Sequence, residues 1–136
     1  MRLATLFVAG LALSMIPAAL NAWQDREPDL PTRLKSIKGP FTMLVHLEAK
    51  KGKEKDLIEI AKPCIAATRK EPGCDAYELI QDQENPTKFV FFEKWKSVKD
   101  LETHLAEEHT RKLGGAMGPM LAGPGKFTFF SSTEGR

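Results

Sequence analysis

The sequence has no surplus of charge, almost no cysteine, and no apolar run long enough to cross a membrane as a helix. Its 20 lysines and arginines face 18 aspartates and glutamates, a balance that excludes a polyanion partner such as nucleic acid, which needs a basic face or stripe. Lysines are interleaved with glutamates in residues 50–62 and 94–112, as on solvated helix faces. The two cysteines, Cys64 and Cys74, have no second ligand at close spacing and so do not form a metal ribbon. They permit one disulfide, and otherwise read as a pair of small buried side chains. No Gly-x-Gly-x-x-Gly follows a strand pattern, and no serine stands in a nucleophile elbow, which removes the usual nucleotide and serine-hydrolase readings.

The main apolar run, residues 3–16 (LATLFVAGLALSMI), follows Arg2 and ends at Pro17 and the small residues before Trp23. It is shorter than the ~20 residues a spanning helix needs. The layout predicts a secretory signal peptide over residues 1–22, hence an exported protein, periplasmic or secreted, without stable membrane insertion. Cleavage removes Arg2 as the only charged residue of that segment and leaves 19 basic against 18 acidic side chains. Residues 23–40 carry Pro28, Pro31 and Pro40 with little apolar periodicity, and read as an extended leader. The domain is expected over residues 41–133.

Within it, alternation in FTMLVHLEA predicts a strand with Phe41, Met43, Val45 and Leu47 on one face and His46 on the other, a packed or edge histidine. Leu57, Ala61, Cys64 and Thr68 recur at helical spacing, with a kink expected at Pro63. Cys74 to Asp82 and Lys88 to Trp95 read as a hairpin around Asn85-Pro86. Ser97 and Asp100 open a second helix running through Leu101 and Leu105 to His109. The glycine-rich stretch LGGAMGPMLAGPG reads as a loop with at most one short turn, and KFTFFSS as the last strand. The order β-α-β-β-α-β is the ferredoxin-like α+β arrangement, with two helices on one face of a four-stranded sheet. The other face carries too much apolar surface to stay wet in a monomer.

The run Glu71-Pro-Gly-Cys74, Tyr77-x-Leu79, Asp82, Pro86-x-x-Phe89, Glu93-x-Trp95-x-Ser97, Asp100-Leu101, His104 and then His109 resembles the antibiotic-biosynthesis monooxygenase family, especially its quinol-monooxygenase-like members. The likeness spans roughly residues 41–130. It implies a homodimer whose two sheets close into a dimeric α+β barrel, with a pocket between sheet and helices in each protomer. It also implies oxygenation of a quinol or other small electron-rich aromatic by O2 without flavin, haem or metal. The N-terminal export signal and Pro63 depart from the family's common pattern.

Oxygenation without a cofactor requires a base that deprotonates the substrate and a dry, hydrogen-bonded place for the anion. His104 and His109 have the suitable side chain. On one continuous helix five residues turn ~500°, about 140° net, so the two imidazoles are expected to point apart, and no shared metal is expected. His104 is the candidate base or anion partner, and its structural alternative is a hydrogen bond to Glu93 or a backbone carbonyl. His109 is the second candidate, as a substrate contact or a structural residue. Tyr77, Phe91, Glu93 and Trp95 fall on one face of a regular hairpin, where Tyr77, Phe91 and Trp95 serve as aromatic walls or as core, and Glu93 as a carboxylate that orients a histidine or accepts a proton. A non-catalytic barrel that binds a hydrophobic or aromatic ligand is the alternative function, and haem binding through His104 or His109 a third.

Overall fold

The computed structural model describes residues 30–134; the expected signal peptide, residues 1–22, lies outside them, as does the first part of the leader. Strand β1 (Phe41–Glu48) buries Phe41, Met43, Val45 and Leu47 on one face, as its alternation dictates. Gly52, at φ +86°, turns the chain, a conformation that favours glycine. Helix α2 (Glu54–Thr68) then runs with Glu54 and Asp56 in its first turn, where acidic groups complement the helix dipole, and Leu57, Ala61, Cys64 and Thr68 buried. Strands β2 (Cys74–Gln81) and β3 (Lys88–Trp95) form the hairpin. Its loop is held by Asp82, whose Oδ1 accepts from the backbone N–H groups of Glu84 (2.8 Å) and Asn85 (2.9 Å).

Helix α3 (Val98–Ala106) begins at Ser97, whose Oγ accepts from the Asp100 N–H at 3.2 Å. Helix α4 (Glu108–Met117), a 3-10 turn (Gly118–Met120) and β4 (Lys126–Phe130) complete the domain. The sheet is antiparallel with strand order β2-β3-β1-β4, the ferredoxin-like arrangement expected from the sequence. All the long helices lie on the face that carries Met43, Val45, Phe89, Phe91 and Trp95, and the core fills the space between.

Four details differ from the sequence reading. The leader is not extended throughout: Leu30–Ser36 form a helix, α1, whose Leu30 and Leu34, one turn apart, are buried, while Pro31 sits in the first turn where its missing N–H costs nothing. Pro63 does not interrupt α2; it is exposed, so the Glu59 carbonyl it leaves unpaired faces water. The second helix is two, broken at Glu107, whose ψ of 148° is extended. Much of the glycine-rich stretch is helical, because Leu113 and Met117 are buried against the core and outweigh two glycines. Cys64 and Cys74 are both free thiols.

One contact ties the turn before β2 to α3. A Cβ on Gly73 would lie 2.2 Å from Asp100 Cβ, so only glycine fits where the turn crosses the start of that helix. The carbonyl of Gly73 also accepts from the Lys96 N–H at 3.0 Å. The outer face of the sheet carries Leu44, Val90 and Phe92, half-buried, with Ile80 and Phe130 at 47% and 49% exposure. Register places Leu44 beside Phe92 and Ile80 beside Val90, a continuous apolar ridge. Among the described residues no helix is long and apolar enough to cross a membrane.

Candidate functional site

Three segments converge at one carboxylate. Glu71 sits in the turn between α2 and β2, fixed by hydrogen bonds from its N–H to the Thr68 carbonyl (3.0 Å) and to its carbonyl from the Cys74 N–H (3.1 Å). Its Oε1 lies 2.9 Å from Nδ1 of His104 on α3 and 2.7 Å from Nε2 of His109 on α4. A carboxylate accepts, so both ring nitrogens donate. The neutral His104 ring therefore carries its hydrogen on Nδ1 and keeps a lone pair on Nε2; the Thr110 hydroxyl lies 3.3 Å from both nitrogens.

His104 is only 2% exposed. Burial lowers its pKa from the ordinary value, although the hydrogen bond to Glu71 and that carboxylate's charge pull the other way; desolvation disfavours the charged ring. The expectation that the two imidazoles point apart is overturned: their ring centroids are 5.8 Å apart and they share one acceptor. The rotation argument assumed one continuous helix, and the break at Glu107 swings His109 back. The sequence does hold a trace of the break: buried positions run Leu101, Leu105, then Thr110, Leu113 and Met117, so the helical spacing skips a residue. His104 lies within the core, between Tyr77 (5.3 Å between centroids) and Trp95 (4.8 Å).

The hairpin register is regular where it matters. Tyr77 pairs with Glu93 and Leu79 with Phe91, with the irregularity confined to the start of β2. Tyr77, Phe91, Glu93 and Trp95 are buried together on the helix side of the sheet. Glu93 does not orient a histidine: its Oε2 accepts from Trp95 Nε1 at 2.8 Å, and Glu71 holds both imidazoles instead. Burial pushes the Glu93 carboxyl up to about 8, against the lowering effect of the Trp95 hydrogen bond, and the Glu71 charge adds to the rise. It is therefore mainly a neutral acid at pH 7. Tyr77 is raised well above its ordinary value by burial, and the charge of Glu93 adds to the rise. Burial raises both thiols, Cys74 to about 11, so neither is a ready nucleophile.

Between sheet and helices lies a cavity of about 30 Å³. Tyr77, Phe91, Glu93, His104 and Thr110 line it, and Leu30 of α1 stands among its apolar neighbours. Its volume suits a water molecule and not an aromatic ring. Of the expected substrate contacts, Tyr77 and Phe91 reach the cavity. Trp95 lies behind it, supporting Glu93 and His104, and His109 lies outside, 23% exposed. The cavity beside His104 has no room for haem as it stands. Glu71 and Thr110 were not foreseen as site residues; Glu71 had a signal in its motif, Thr110 none beyond the skipped spacing.

Glu93 gives the site a measurable pH signature. Its folded-state pKa, about 8, lies above its ordinary value of 4.5, so the folded chain retains a proton that the unfolded chain gives up between those values. Its contribution is present below pH 4.5 and lost as pH rises through about 8. The stability of the native protein relative to Glu93→Gln should fall across that range, by at most about 1.4 kcal/mol per pH unit. Chemical denaturation of both proteins as a function of pH measures this, and parallel profiles would contradict it.

Residues 40–114 match the family model described as antibiotic biosynthesis monooxygenase. Among curated relatives, an uncharacterized protein of Synechocystis sp. is 24% identical over 107 residues, which cover 79% of this chain and 73% of that one. Among solved structures, a candidate antibiotic biosynthesis monooxygenase from Nitrosomonas europaea superposes with a TM-score of 0.69 at 22% identity, over 73% of this chain and 96% of that one. A Pseudomonas aeruginosa protein gives a TM-score of 0.65 at 25% identity, over 70% and 95%. The family match begins just before β1 and takes in every site residue from Glu71 to Thr110 over more than half the chain: this protein belongs to the antibiotic biosynthesis monooxygenase family.

Proposed function

We propose that the protein is a cofactor-independent monooxygenase that oxidises a quinol, or another electron-rich aromatic, with O2. The observation that carries this reading is His104: a buried imidazole whose Nδ1–H is pinned on Glu71, leaving the Nε2 lone pair for a proton. His104 takes the phenolic proton, and the resulting anion is reducing enough to react with O2 directly. For a hydroquinone, one oxygen atom enters the ring and the other leaves as water, giving a hydroxyquinone, with all electrons drawn from the substrate. Glu93, neutral at pH 7, donates a hydrogen bond to the anion, and Tyr77 and Phe91 flank the ring. Glu71 and the more exposed His109 carry the proton outward.

Substrate binding is an opening event, because the closed cavity has the volume of a water molecule and not of a ring. α1 is the natural part to move: it is seven residues long, its Leu30 lines the cavity, and Arg33 Nη2 fastens it to the Phe127 carbonyl at 2.8 Å. The apolar ridge on the outer sheet face supports a homodimer in which a second copy covers Leu44, Phe92, Ile80 and Phe130.

Oxygen uptake by metal-free protein, measured over a panel of hydroquinones, should be substrate-dependent and should fall ~100-fold or more in His104→Ala, the lower range for loss of a general base. Circular dichroism checks that the variant is folded. Ligand binding without uptake, or a variant as active as the parent, sinks the proposal. In light scattering the protein should have twice its chain mass, and a monomer at micromolar concentration removes the dimer.

A further inference from the structure

The same three side chains form a second kind of site on the side of His104 facing away from the cavity. We propose that Glu71, His104 and His109 bind one first-row divalent transition ion of the zinc type. Their ligand atoms lie within 4.8 Å of one another, and the two nitrogens stand 2.9 and 2.7 Å from the same oxygen. Tetrahedral ligands ~2.05 Å from an ion stand ~3.3 Å apart, so on ion entry the two nitrogen–oxygen pairs open by about 0.5 Å and the two nitrogens draw together. Two imidazoles and a carboxylate are a donor set suited to zinc, ferrous iron and their neighbours, and three protein ligands leave a position open.

Charge points the same way. Among the described residues the ionisable side chains bonded to Glu71 are the two histidines, with no lysine or arginine to neutralise it. An ion takes the place of the two ring protons and supplies the missing positive charge. The His104 ring is held in place from two sides: the Thr110 hydroxyl lies 3.3 Å from each of its nitrogens, and Trp95 packs on the ring at 4.8 Å between centroids. Glu71 at 16% and His109 at 23% exposure leave the outer side reachable, and the cavity need not open.

Occupancy has a consequence for chemistry, and this part rests on the base role proposed for His104. An ion on Nδ1 moves the ring hydrogen to Nε2, where the lone pair would otherwise receive the substrate's proton. The ion-bound protein is therefore an inactive base, and removal of the ion restores it.

Calorimetric titration of the chelator-treated full chain with zinc chloride, with cobalt(II) absorption as a second readout, tests the site without reference to activity. One equivalent should bind per chain. Glu71→Gln and His109→Ala should each weaken binding at least ~10-fold; His109 is partly exposed, so its variant keeps the test open should the first fail to fold. Absence of binding, or one equivalent that survives both substitutions, overturns the proposal. Binding without hydroquinone oxidation in either metal state upholds the site and removes the monooxygenase reading; oxidation without binding does the reverse.

Discussion

The arrangement depends on a single carboxylate oxygen that two imidazoles share. Glu71 Oε1 gathers a turn, the end of one helix and the start of the next into one hydrogen-bonded unit. Each participant needs its own local reason to be there. The turn is held to α2 and β2 by backbone bonds, Gly73 lets it cross α3 without a clash, and the extended residue Glu107 directs His109 back toward it. Loss of any one separates the imidazoles. Glu71 is half-buried, and its two hydrogen bonds also tie both helices to the turn.

The sheet sets the electrostatic character of what lies beneath. β3 places Phe89, Phe91, Glu93 and Trp95 on the same buried face, so a carboxyl is forced into an aromatic layer by strand alternation alone. Desolvation then keeps Glu93 protonated near neutrality, and Trp95 fixes its orientation. Burial acts on His104 in the opposite charge sense, holding the imidazole neutral. A neutral acid and a neutral base thus line the same small cavity, which is the division of labour that proton removal followed by anion stabilisation demands.

Much of this was legible from residues alone, because strands write their burial into the sequence with a period of two. The buried positions from Phe41 to Leu47 and from Phe89 to Trp95 alternate, although Leu44, Val90 and Phe92 leave the outer face apolar as well, and the hairpin loop carries its own turn chemistry in Asp82 and Asn85. The placement of Glu93 among the aromatics followed from the same rule. The helical side was less legible. The break between α3 and α4 has no proline or glycine to mark it and shows only as a skipped residue in the buried spacing from Leu105 to Thr110. Glu71 stood in a recognised motif, but its reach to two helices is a tertiary fact that no local pattern encodes. Helix α1 was masked by prolines and charge, its burial resting on Leu30 and Leu34 alone.

The central claim is that Glu71 holds His104 as a neutral ring with its hydrogen on Nδ1. Long-range nitrogen–proton correlation NMR on metal-free, histidine-labelled protein at pH 7 reads that tautomer directly. The account predicts a neutral ring protonated at Nδ1 that shifts to the other nitrogen in Glu71→Gln or becomes a mixture of the two forms. A ring protonated at Nε2, or a charged imidazolium, in the native protein would contradict it.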